Sequence, residues 1–247
     1  PVMSPIELFP AARVLGLLDL TSLGEDDTPA RIRRLCAAAR SPHGLPAAVC
    51  IYPEHITTAR EALAGTAVRV ATVVNFPEGA DDPQRIARET RRAIAAGADE
   101  IDMVLPWRAL RAGDAARARA GVEACRSACG PGVALKLILE TGELGTPALI
   151  RQACELGLDA GVDFLKTSTG KVQVNATPAA AAVMLDAIAA RGGRCGFKAA
   201  GGIRTLADSR VYLALAQERL GADWIRPARF RIGASALFDA LLAELDG

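Results

Sequence analysis

Eight short apolar runs, each followed by an Ala/Arg/Glu-rich stretch of helical spacing, predict an α/β fold: a single-domain (β/α)8 TIM barrel over residues 1–247. Three observations carry this expectation. The strand and helix patterns alternate from end to end, which implies parallel strands joined by right-handed crossovers. Eight such units in 247 residues suit a closed barrel better than an open doubly wound sheet. No Pro/Ser-rich linker or block of like charge divides the chain.

The predicted strands are 14–20 (VLGLLDL), 47–52 (AAVCIY), 68–75 (VRVATVVN), 99–105 (DEIDMVL), 134–140 (ALKLILE), 162–168 (VDFLKTS), 196–200 (GFKAA) and 222–225 (ADWI). Helical segments fall near 28–40, 54–64, 83–96, 108–128, 146–160, 178–190, 205–219 and 235–245. Four helix starts are written plainly: Thr28-Pro29, Asp82-Pro83, Thr146-Pro147 and Thr177-Pro178 each set a capping side chain before a proline at the first helical position. Gly97, Gly161 and Gly221 read as helix stops before strand starts, because a helix end often needs positive φ.

Composition narrows the function classes. With 51% hydrophobic residues and mean hydropathy +0.21, a full core is available. Basic and acidic residues number 29 and 28, so no broad field attracts nucleic acid or an anionic membrane. Every apolar run is broken before 18 residues, which predicts no transmembrane helix. Six cysteines without CxxC spacing are expected to be reduced thiols in a cytoplasmic protein. His43 and His55, the only histidines, lack metal-ligand spacing and are expected at the surface; no metal or other cofactor is expected. No Walker A, dinucleotide fingerprint or GxSxG elbow follows a strand.

Only four of the 29 basic residues are lysine: Lys136, Lys166, Lys171 and Lys198. Three fall inside predicted strands, although lysine is rarely buried without a partner or a task. Period-two alternation puts Lys166 on one face with Phe164 and Ser168, and Lys198 on one face with Gly196 and Ala200. If both faces point inward, two ammonium groups crowd together, and burial with like charge disfavours their protonation. One neutral amine would then be a nucleophile for carbonyl carbon, which a guanidinium cannot be. These residues alone do not say which of the two it is. Asp102, mid-strand among apolar residues, is the acid/base candidate. Lys136 is expected to brace it or to pair with Glu140. Asp19, Cys50, Lys136 and Thr169, near the same strand ends, are the candidate substrate contacts.

Glycines cluster after the last three strands. Gly170-Lys171, Gly201-Gly202 and Gly233-Ala234-Ser235 offer backbone N–H groups and a helix N-terminus where barrels of this class seat phosphate. The expected ligand is a small phosphorylated molecule.

These motifs resemble deoxyribose-phosphate aldolase. The resemblance rests on LDLT (18–21), VCIYP (49–53), ATVVNFP (71–77), ETRRAIAAGADEIDMV (89–104), LKLILETGEL (135–144), DFLKTSTGK (163–171), VNATP (174–178), GFKAAGGIRT (196–205), GADWIR (221–226) and FRIGAS (230–235). It covers about residues 14–240, and DFLKTSTGK with GFKAAGG is its most specific part. It implies a metal-independent Schiff-base aldolase that interconverts 2-deoxy-D-ribose 5-phosphate with D-glyceraldehyde 3-phosphate and acetaldehyde. It implies Lys166 as the Schiff-base nucleophile, Lys198 as its pKa-lowering and proton-relay neighbour, and Asp102 as the acid/base working through a water. It gives the phosphate to Gly170, Lys171, Gly201, Gly202, Gly233 and Ser235, and it suggests a homo-oligomer of two or four copies. Three departures stand out. Ala199 replaces a proline frequent in the family, Ala236 replaces a second serine after Ser235, and the C-terminal tail ending in Tyr that some members carry is not expected here. Proton transfer is therefore expected to rest on Asp102, Lys198 and water. A Schiff-base aldolase acting on a ketone donor and a non-catalytic phosphosugar-binding barrel are the alternatives.

Overall fold

The structure is a computed structural model and describes residues 9–247, so the first eight residues of the expected 1–247 extent lie outside it. Eight parallel strands close into a barrel in sequence order: β1 (Leu18–Ser22), β2 (Ala48–Ile51), β3 (Arg69–Val74), β4 (Glu100–Val104), β5 (Ala134–Ile138), β6 (Phe164–Lys166), β7 (Gly196–Ala200) and β8 (Phe230–Ala234). β8 returns to β1 with Leu18 beside Ile232 and Asp19 beside Gly233. No helix among the described residues is long and apolar enough to cross a membrane.

The helices are α1 (Ala11–Leu15), α2 (Pro29–Ala38), α3 (Ile56–Ala62), α4 (Pro83–Ala95), α5 (Trp107–Arg111), α6 (Ala115–Cys129), α7 (Thr141–Leu144), α8 (Pro147–Asp159), α9 (Pro178–Ala190), α10 (Leu206–Leu220) and α11 (Ala236–Asp246). The four capping side chains act as the sequence predicts. Thr28, Asp82, Thr146 and Thr177 accept from the backbone N–H of Arg31, Arg85, Leu149 and Ala180. Each such cap is worth about 1 kcal/mol. Gly97, Gly161 and Gly221 all take positive φ, at 108°, 70° and 86°.

Three expectations are corrected. Residues 222–225 are not the eighth strand: Ala222–Trp224 is a short 3-10 turn, pinned where Trp224 Nε1 donates to the Gly193 carbonyl at 2.7 Å. The strand is Phe230–Ala234, whose apolar alternation is masked by Arg231. The first strand starts at Leu18 rather than residue 14, because Val14 and Leu15 end α1, which packs against α11. His55 is buried rather than exposed, and His43 is half-buried with Nε2 2.6 Å from Asp246.

The apolar interior has two parts. A large cluster lies between the strands and the surrounding helices, from Phe9 to Leu241. A small one, formed by Ala48, Cys50, Ala71 and Val73, fills one side of the barrel lumen. The rest of the lumen is polar, and it holds the candidate site. All six cysteines are free and buried.

Candidate active site

Six strands send a charged side chain into the lumen: Asp19 from β1, Glu100 and Asp102 from β4, Lys136 from β5, Lys166 from β6, Lys198 from β7 and Arg231 from β8. All seven are buried. Parallel register sets them side by side, with Asp102 beside Lys136, Lys166 beside Lys198, and Lys198 beside Arg231. Asp102 is the hub. Its Oδ1 accepts from Lys136 Nζ at 2.7 Å, and its Oδ2 accepts from Lys166 Nζ at 2.8 Å and Lys198 Nζ at 2.7 Å. Lys198 also reaches Asp19 Oδ2 at 2.5 Å, and Lys136 reaches Glu100 Oε2 at 2.7 Å. Arg231 closes the array, with Nη1 2.6 Å from Asp19 Oδ1 and Nη2 2.8 Å from Glu100 Oε1.

The array holds four cations and three carboxylates. A buried charge without compensation is expensive, so the cheapest relief is to deprotonate one amine. Contacts single out Lys166. Lys136, Lys198 and Arg231 each touch two or more carboxylates, whereas Lys166 touches only Asp102 and shares that oxygen with Lys198. Burial, opposed by Asp102 and reinforced by Lys198, leaves Lys166 below the usual lysine range. Burial also pushes down on Lys198 and Lys136, but there it is outweighed. Asp102 with Asp19 holds Lys198 protonated, and Asp102 with Glu100 does the same for Lys136. Burial would raise Asp102 and Asp19, yet the same cations keep both ionised well below the usual carboxylate range.

A cleft of about 310 Å³ opens at the C-terminal ends of the strands. Of the seven array residues, Lys166 alone lines it. Thr169, Gly170, Lys171, Gly201, Gly202, Gly233 and Ser235 line it as well, so every residue expected to hold phosphate stands on its wall. Two glycines there stand in close quarters. Gly201 has φ 91°, and a Cβ would lie 2.5 Å from Asn175 Cβ. At Gly233 a Cβ would approach Lys198 Cε to 3.0 Å. Asn175 Oδ1 also accepts from the Gly170 N–H at 3.0 Å, so one side chain supports both glycine turns. Lys171 Nζ donates to the Leu23 carbonyl at 2.5 Å across the cleft mouth. Ser235 and Ala236 present the N-terminus of α11, which favours an anion.

Asp19, Cys50 and Lys136 lie behind Lys166 and off the cleft wall: Asp19 and Lys136 are members of the array, and Cys50 stands beside it. Burial pushes the Cys50 thiol upward. Glu140 does not pair with Lys136. It accepts from the Thr169 N–H and Oγ1 at 3.1 and 2.7 Å, fixing the loop after β6, and burial raises its pKa. Sequence reasoning missed Glu100 and Arg231 as array members, and Thr21, Leu23 and Arg204 as cleft residues. Arg231 had a readable signal. It is the one charged residue inside FRIGA, but one arginine among 25 draws no notice until that run is read as a strand.

A (β/α)8 barrel of this sequence pattern matches a known family model. The model for "DeoC/LacD family aldolase" matches residues 13–242. This chain belongs to the DeoC/LacD aldolase family. Among solved structures, a "putative deoxyribose-phosphate aldolase" from Coccidioides immitis is 31% identical to this aldolase, with TM-score 0.82, covering 95% of this chain and 87% of that one. The apo form of a "putative deoxyribose-phosphate aldolase" from Toxoplasma gondii ME49 is 26% identical, with TM-score 0.86 and 96% of both chains covered. The deoxyribose phosphate aldolase of Aeropyrum pernix, described as a tetramer, shares the fold at 22% identity, with TM-score 0.77 and 98% and 95% covered.

Proposed function

We propose that this aldolase reversibly cleaves 2-deoxy-D-ribose 5-phosphate to D-glyceraldehyde 3-phosphate and acetaldehyde through a Schiff base on Lys166. One observation carries the reading: Lys166 is the only amine of a cation-rich buried array that reaches a cleft whose far wall is built of glycine turns and a helix N-terminus. The neutral amine attacks the C1 aldehyde carbon, and the carbinolamine loses water to give an imine. A base takes the C3 hydroxyl proton, and the C2–C3 bond breaks. Its electron pair moves into the imine as an enamine, releasing the three-carbon aldehyde phosphate. Protonation at C2 and hydrolysis then return acetaldehyde and the amine. Asp102 lies within 2.8 Å of both Lys166 and Lys198, and in this reading it moves these protons together with Lys198 and solvent. A ketone donor is the competing assignment, and donor preference separates the two.

Sodium borohydride added with acetaldehyde should fix a two-carbon adduct on the peptide carrying Lys166. Labelling of Lys198 instead, or no adduct, would overturn the assignment. Because Lys166 titrates below 10.5, the trapping rate should rise with pH and level off before the ordinary lysine range is reached.

The phosphate seat has its own test. Gly201→Ala forces a left-handed backbone on alanine and drives its Cβ into Asn175. KM for deoxyribose 5-phosphate should rise by about tenfold or more, the effect of about 1.4 kcal/mol lost at one turn. Trapping by acetaldehyde, which has no phosphate, should be unchanged; a parallel loss would mean that the turn serves the amine.

On the resemblance we also carry forward a homo-oligomer and a cytoplasmic location, the latter in keeping with six free cysteines. Light scattering reads the former directly against a 25.7 kDa chain.

A further inference from the structure

The array crosses the whole barrel. Lys166 stands at the cleft, whereas Glu100 and Arg231 line a second cavity of about 600 Å³ at the N-terminal ends of the strands. Arg231 is held there on several sides. Its Nε donates to the Pro227 carbonyl at 2.5 Å, and its guanidinium lies 5.5 Å over the Phe164 ring. Gly196 makes room for that ring, since a Cβ there would fall 2.6 Å from it. Arg231 thus takes one oxygen of Asp19 and both oxygens of Glu100.

Asp102 carries the load that results. Lys136 and Lys198 could be satisfied by Glu100 and Asp19, but Arg231 already draws on both of those carboxylates. Both lysines therefore also draw on Asp102, and Lys166 is left to share it with them. We infer that Arg231 is a positioning residue for the proposed reaction: from the far end of the barrel it occupies Asp19 and Glu100, makes Lys166 the surplus cation, and so keeps that amine unprotonated for attack. The purpose of this device rests on the Schiff-base reading, but its test does not.

The groups facing Lys166 are Asp102 from β4, Lys198 from β7, Cys50 from β2 and Glu140 from the loop after β5. Those facing Arg231 are Asp19, Glu100, Lys136 and the Phe164 ring, with Arg69, Asp163 and Arg229 around the same cavity. Changing Arg231 alters the balance among these without touching the cleft.

The test is competitive labelling of the intact protein with acetic anhydride across pH, read by mass spectrometry on the Lys166 peptide. It reports the protonation of that amine whether or not the protein is an aldolase. Arg231→Met leaves three cations and three carboxylates. The Lys166 titration midpoint should move to higher pH, and labelling near neutral pH should fall about tenfold for every pH unit by which it moves. Arg231→Lys keeps the charge and should stay near the parent. Arg231→Met with Glu100→Gln restores one surplus cation and should bring the titration back. If Arg231→Met does not fold, Glu100→Gln alone decides, since two surplus cations should move the titration below the parent's. An unmoved or lowered titration in Arg231→Met, or an unmoved or raised one in Glu100→Gln, overturns the inference. Failure of acetaldehyde trapping in the parent would instead overturn the Schiff-base reading and leave the labelling result standing.

Discussion

Lys166→Met is expected to abolish cleavage while leaving the fold at least as stable as the parent. Removing the proposed Schiff-base nucleophile should lower the rate by about 10⁴-fold or more, and borohydride with acetaldehyde should leave no adduct at any pH. The stability result is the less obvious half. Methionine nearly fills the lysine volume, and such swaps usually cost less than about 1.5 kcal/mol. Against that, the surplus cation is gone and three cations face three carboxylates. The sign with pH follows from the depressed pKa. Below the folded-state pKa of Lys166, the parent carries the full penalty of a disfavoured buried ammonium. As pH rises from there to 10.5, the unfolded chain binds more protons than the folded one and the parent gains stability. The advantage of Lys166→Met should therefore be largest at low pH and vanish above 10.5. Thermal melts of both proteins across pH check this. A variant clearly less stable than the parent at neutral pH would show that Lys166 braces the barrel and is not surplus.

Asp102→Asn should be the most damaging single change to stability. It leaves four cations against two carboxylates at a fully buried site, and removing one partner from such a set costs about 3–5 kcal/mol. For a chain of this size that corresponds to a melting temperature lower by about 6–20 °C. Lys166, with its one carboxylate contact replaced by an amide, should become still easier to deprotonate, so acetaldehyde trapping should persist and shift to lower pH. Turnover of deoxyribose 5-phosphate should nevertheless fall by about 10²–10⁴-fold, the usual worth of a positioned acid/base group. Retained turnover in a destabilised protein would make Asp102 a brace and move the acid/base role elsewhere.

The two halves of the site were not equally legible. The glycine wall of the cleft could be read from the chain because its parts are local: Gly170-Lys171, Gly201-Gly202 and Gly233-Ala234-Ser235 sit directly after strands, and all line the cleft. The proline-capped helix starts were legible for the same reason, since a cap acts within three residues. GADW misled because it repeats the helix-stop pattern of GADE and GVDF. Here the tertiary bond from Trp224 to Gly193 bends the chain into a turn and delays the strand to Phe230.

The seven-membered array was only half legible. Rarity pointed to the lysines and apolar flanks pointed to Asp102, but nothing beside Lys166 or Lys198 in the chain shows which carboxylates they meet. Their carboxylates come from 64 to 179 residues away in the chain.

By itself, then, the chain determined its alternating pattern, its helix starts, its glycine turns and the identity of its few lysines, because each depends on neighbours in sequence. Closure of the sheet decided the rest. It brought β1, β4 and β8 to face β6 and β7, and so fixed how many charges share one dry interior and which amine is left with a single carboxylate. A proton's affinity for one nitrogen depends on every charge within a few ångströms, and that sum exists only once the barrel has closed.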